Sequence, residues 1–152
     1  MKIVYVAGPF TARNNFDLNE NILRAERLGR IVAGFGAMPL IPHANTRHFV
    51  GLETPRFWYE GTLELLRRSD AIALVDGWQR STGAVAEHDE AQERGMPIFD
   101  FSDRYAEVSM RHLEIWVRNT PDAGECGSIL PNGLACNRAL GHGTPHAFAI
   151  RE

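Results

Sequence analysis

Ser81, Gly83 and Glu87 stand in the stretch Gly-Trp-Gln-Arg-Ser-Thr-Gly-Ala-Val-Ala-Glu, residues 77–87, with the spacing Ser-x-Gly-x3-Glu. If a helix starts at Ser81 or Thr82, its free amides and a hydroxyl form an anion site. Glu87, about a turn further on, leans back toward that helix start because helical side chains tilt N-terminally. A carboxylate so placed can act as a nucleophile or stabilise a developing positive charge. The plainer alternative is that Glu87 only complements the helix macrodipole. A second constellation lies near the C-terminus, where Cys126, Cys136, His142 and His146 are spaced C-x9-C-x5-H-x3-H. Two thiolates and two imidazoles make a closed tetrahedral Zn2+ set with no open position for chemistry, so the zinc expected here is structural. A flexible tail with free thiols or one disulfide is the alternative.

Elements that could position the first constellation are readable from periodicity. Residues 2–7, Lys-Ile-Val-Tyr-Val-Ala, predict a buried strand that stops at Gly8-Pro9. Apolar or small residues at Leu18, Ile22, Ala25, Gly29 and Val32 predict a helix from Asn15 to about Ala33, ended by Gly34-Phe35-Gly36. That Gly-x-Gly ends a helix instead of opening one after a strand, so it is not a dinucleotide fingerprint. Residues 37–42 predict a second strand, and the polar stretch 43–53 is too long for a simple connector. Thr54-Pro55 opens a helix to about Arg68, residues 71–76 form a third strand, a helix runs from Ser81 to about Arg94, and residues 97–101 form a fourth strand. Ser102 or Asp103 caps a last helix through Arg118.

Strands alternating with helices predict an α/β fold, a flavodoxin-like or Rossmann-like sandwich with a parallel sheet of four to five strands. The predicted division is a main domain over 1–118 and a small irregular zinc module over 119–152. Ligands of such sheets sit beyond the carboxyl ends of the strands. That edge collects Gly8, Pro9 and Phe10 after strand one, His43 after strand two, and Asp76, Gly77 and Trp78 after strand three. Gly8, Pro9 and Gly83 could equally be turn punctuation, and Trp78 could pack at a rim instead of stacking on a base.

Composition narrows the function classes. With 152 residues, 44% apolar, the chain can bury a core of ordinary size. A net charge of -3 supplies no basic footprint for nucleic acid. No apolar run approaches the ~20 residues of a membrane span, and no leader precedes the first strand, so a cytoplasmic location is expected.

Tyr-Val-Ala-Gly-Pro-Phe at 5–10, followed by Ser-x-Gly-x3-Glu, an Ala-rich helix and the Gly-Met-Pro strand start at 95–97, resembles the nucleoside 2-deoxyribosyltransferase-like superfamily. The resemblance covers residues 1–101. It implies a nucleoside or nucleotide substrate, Glu87 as nucleophile, Tyr5 as a second catalytic residue at the strand-one tyrosine position, and Gly8-Pro9 lining the sugar or phosphate pocket. Where the transferases carry an aspartate, six residues before the glutamate, this chain has Ser81. A serine there resembles the 2'-deoxynucleoside 5'-phosphate N-hydrolase branch, and a helix start with a hydroxyl suits a phosphate that an aspartate would repel. The second acid usual in the superfamily falls at Thr62, with Glu60 or Glu64 as candidate substitutes. Asp70, at the amino end of its strand, reads as structural. The resemblance also implies a homo-oligomer. The competing expectation is a non-catalytic nucleotide-binding or adaptor protein whose zinc tail contacts a macromolecule.

Overall fold

The computed structural model describes residues 1–49 and 51–119. Four strands, β1 (Ile3–Ala7), β2 (Met38–Leu40), β3 (Ala71–Leu74) and β4 (Ile98–Asp100), form one sheet in the order β2-β1-β3-β4. All neighbours are parallel, with Tyr5 opposite Leu40 on one side and Ile72 on the other. Five helices accompany them: α1 (Asn15–Gly34), α2 (Pro42–Asn45), α3 (Pro55–Arg67), α4 (Thr82–Glu93) and α5 (Ala106–Asn119). Strand order therefore reverses between β1 and β3, and a crevice opens there at the carboxyl edge.

Period-two alternation along the strands sorts the core into two layers. Val4, Val6, Ala71 and Ala73 pack with Ala25, Leu28 and Val32 of α1 and Leu113 of α5. Tyr5, Ala7, Ile72 and Leu74 face the other way, onto Leu63 and Leu66 of α3 and Ala91 of α4. Burial on both faces explains why β1 and β3 read as continuous apolar runs. Three helices start on side-chain caps, with Asn14, Thr54 and Ser81 accepting from Asp17, Phe57 and Ala84 amides at 2.9, 3.2 and 3.3 Å.

Several boundaries differ from the sequence expectation. β2, expected over 37–42, spans Met38–Leu40, because Pro42 opens α2, which occupies the start of what was read as loop, and β4, expected over 97–101, spans Ile98–Asp100. β3 ends at Leu74, because Gly77 takes φ 82° and turns the chain into a 3-10 turn at Trp78–Arg80. α5 starts at Ala106, because the Ser102 amide and hydroxyl both donate to Asp100 Oδ1, at 2.8 and 2.5 Å, holding a turn where a cap was expected. Asn119, expected to begin the tail module, is the last residue of α5. Cys126, Cys136, His142 and His146 lie outside the described residues. Among the described residues no helix is long and apolar enough to cross a membrane.

Candidate active site

The crevice at the β1/β3 reversal is a cavity of about 400 Å³. Its floor is the turn after β1, and Gly8 is required there by close approach, since a Cβ on it would lie 2.8 Å from Val75 Cβ, just past β3. The start of α2 supplies Pro42 and His43, and the start of α4 supplies Ser81, Gly83 and Glu87. The loop between α2 and α3 adds Phe49 and Glu53 to the lining, and the first two turns of α3 add Trp58 and Tyr59.

Glu87 projects from the second turn of α4 into this cavity and is only 9% exposed. Tyr5, fully buried in β1, donates its hydroxyl to Glu87 Oε1 at 2.5 Å. The two meet because Tyr5 belongs to the strand face covered by α3 and α4. Burial pushes the Glu87 carboxyl up to about 7, and the Tyr5 hydrogen bond offsets part of that rise. Burial, then the facing Glu87 charge, pushes the Tyr5 phenol well above its usual range. The pair therefore works as a permanently protonated phenol beside a carboxyl group that gains charge near neutrality. Thr62 on α3 also lines the cavity and its hydroxyl reaches the Tyr5 phenol, besides donating to the Tyr59 carbonyl at 3.1 Å.

His43 is 6% exposed, and its Nε2 lies 3.0 Å from the Gly8 carbonyl. A carbonyl only accepts, so Nε2 carries the proton. Burial depresses the imidazole below its usual value, leaving a neutral ring whose Nδ1 has no partner among the described residues. Phe10 meets that ring edge to face, with centroids 5.4 Å apart. The Ser81 Oγ caps the Ala84 amide and lines the cavity at the same time.

Of the residues singled out from sequence, Tyr5 reaches the site through Glu87, and Gly8, Phe10, His43, Ser81, Gly83 and Glu87 line the cavity. Pro9, Asp76, Gly77 and Trp78 stand outside its lining. Trp78 instead stacks on His88 at 4.5 Å and packs on the α3/α4 side of the core. Glu60 also stands outside, 60% exposed and paired with Arg56 at 2.6 Å. The helical repeat explains this: at about 100° per residue, Glu60 points some 200° away from Thr62, which faces inward. Glu64 is turned to Arg68 at 2.7 Å in the same way. Asp70 accepts from the Ile3 amide at 2.7 Å at the opposite edge of the sheet. Phe49 and Glu53 in the loop and Trp58 and Tyr59 on α3 were missed as site residues; for the first two the length of the 43–53 connector was the one available signal. Among the described residues no cluster of His, Cys, Asp or Glu is placed to hold a metal ion.

The cavity is built from residues between Gly8 and Glu87, all within the segment 2–100 that matches the family described as Domain of unknown function (DUF4406). The chain belongs to the DUF4406 family. The DUF4406 segment takes in all four strands and α1 to α4 and ends with β4, so it contains the whole cavity, and α5 follows it. No curated protein matches the chain.

Proposed function

We propose that the protein cleaves the N-glycosidic bond of a nucleoside or a (deoxy)nucleoside 5'-monophosphate, with Glu87 as the nucleophile. The observation that carries this reading is the Glu87 carboxyl group, buried in the wall of a nucleotide-sized cavity and held by the Tyr5 hydroxyl at 2.5 Å. Glycosidic cleavage passes through an oxocarbenium-like transition state, which a carboxylate under C1' stabilises or captures covalently. Tyr5 fixes which oxygen faces C1' and, as a neutral donor, favours the ionised form. The Ser81 end of α4 suits a 5'-phosphate, which favours hydrolysis by water over transfer to a second base. The flavodoxin-like reading of the β2-β1-β3-β4 order and the resemblance to the deoxyribosyltransferase-like superfamily support the same assignment, and a homo-oligomer in which a neighbouring chain closes the cavity is part of it.

Incubation with a panel of nucleosides and 5'-monophosphates, followed by chromatography, tests the proposal: free base should accumulate from at least one member. Saturable binding without base release would instead support a nucleotide-binding module, a reading favoured by the threonine at position 62. For the tail, we propose structural Zn2+ on Cys126, Cys136, His142 and His146, with no metal needed for the chemistry. Elemental analysis should find about one zinc per chain, and a value below about a tenth would dispose of that set.

A further inference from the structure

Tyr5 has a single hydroxyl proton, and that proton goes to Glu87 Oε1 at 2.5 Å. Toward any other neighbour the phenol oxygen can therefore only accept. That neighbour is Thr62. Leu66, four residues further along α3, packs on the core layer that contains Tyr5, and residues four apart share one side of a helix. The same side carries Thr62 into the cavity lining, with its hydroxyl against the Tyr5 phenol. The Thr62 proton then has two acceptors, the Tyr5 oxygen and the Tyr59 carbonyl of its own helix at 3.1 Å. The second is a back-bond that any helical threonine can make. The first completes a chain from Thr62 through Tyr5 to Glu87.

The charge on Glu87 decides which acceptor is favoured. A hydrogen bond to an ionised group is about twice as strong as one between neutral groups, and bonds in a chain polarise one another. With Glu87 ionised, a Thr62 proton on the Tyr5 oxygen strengthens the Tyr5 bond to the carboxylate. With Glu87 neutral the chain serves no charge, and the Tyr59 carbonyl can take the proton instead. The Thr62 hydroxyl therefore acts against burial, which favours the neutral carboxyl group.

We propose that Thr62 is a positioning residue that acts through Tyr5 to hold Glu87 in its ionised form. Its consequence for catalysis rests on the glycosidase reading, in which the nucleophile must carry charge; the contact itself does not. Other groups around Glu87 that can carry charge are Glu53 in the loop, Tyr59 on α3 and His43 on α2, the last kept neutral by burial. Beside it on α4, His88 is paired with Asp89, and Glu90 is held by Arg67 of α3, each at 2.8 Å. None of these changes in a Thr62 variant, so a difference between variants isolates the hydroxyl.

Carbon-13 NMR of the Glu87 carboxyl carbon, identified by its absence from Glu87→Gln, reads the titration in the full chain. Thr62→Val keeps the shape and removes the hydroxyl. Its midpoint should lie about 0.3 pH units above that of wild type, the twofold change expected when neighbouring bonds in a chain strengthen one another by roughly 10–30%. Thr62→Ser keeps the hydroxyl and should stay nearer to wild type than to the valine variant. In a Tyr5→Phe background Thr62→Val should move nothing further. A purely structural role would change stability and leave every midpoint alone. An unmoved or lowered midpoint in Thr62→Val, a serine midpoint as high as that of valine, or an undiminished shift without the Tyr5 hydroxyl would each overturn the assignment, with base release by wild type unaffected. Where wild type releases base, the acid limb of its kcat profile should move with the NMR midpoint in Thr62→Val. Wild type that cleaves nothing would remove the glycosidase reading, and the NMR titration would still decide the role of Thr62.

Discussion

Glu87→Gln protein should fold, bind nucleotide and release base at least about 10³-fold more slowly than wild type, as expected when a nucleophile is removed and only binding and positioning remain. Glutamine suits this test because its amide oxygen can still accept from the Tyr5 hydroxyl, 2.5 Å from the present oxygen, so the cavity wall keeps its shape. Alanine would add a void and confuse loss of chemistry with loss of packing. Single-turnover measurement at saturating nucleotide separates the two, since the loss should lie in kcat and not in affinity. Full base release by the glutamine variant would remove Glu87 from the chemistry.

A second expected result concerns stability, and it has the opposite sign. The Glu87 carboxyl is raised in the folded protein to about 7 from its usual 4.5. A raised carboxyl favours folding fully below the unfolded value, and that contribution is lost as pH climbs through the folded one. The window is therefore pH 4.5 to about 7, and the loss across it is about 3 kcal/mol. Wild-type protein should weaken across this window relative to Glu87→Gln, which has no charge to bury. At pH 8 Glu87→Gln should be the more stable by up to about 3 kcal/mol, read as a denaturant midpoint. Tyr5→Phe removes the donor that favours the charged form, so its alkaline loss should exceed that of wild type. A constant difference between wild type and Glu87→Gln from pH 4 to pH 8 would contradict the buried, proton-holding state of this group. Under the proposed role, replacing Glu87 would trade activity for stability, as functional sites commonly do.

The strands and long helices were legible because their apolar spacing is local. β1 and β3 announced themselves as buried runs, and α1 by its repeat and its glycine stop. The site was less so. Tyr5 and Glu87 are 82 positions apart, and nothing within either segment says that a strand side chain will meet a helix side chain; the residues alone left Glu87 open to a macrodipole role. The resemblance put both among the catalytic residues but did not pair them. Trp78 was misplaced because periodicity does not say which way a side chain leaves a 3-10 turn, and His88 captures it. Glu60 is different, since the helical repeat already separated it from Thr62 by about 200°. Glu53 had only the length of its connector to mark it, and it belongs to the wall because that loop meets the turns after β1 and β2 around one cavity.

The far end of α5 has its own consequence. Asn119 lies beside Pro97, which precedes β4, and Lys2, which precedes β1, sits over the Trp116 ring at 5.5 Å. α5 thus ends with Asn119 at the pole of the molecule opposite the cavity, beside the amino end of β4. A fluorescent label placed at position 119 would therefore stand on the back of the molecule, clear of the residues that line the cavity.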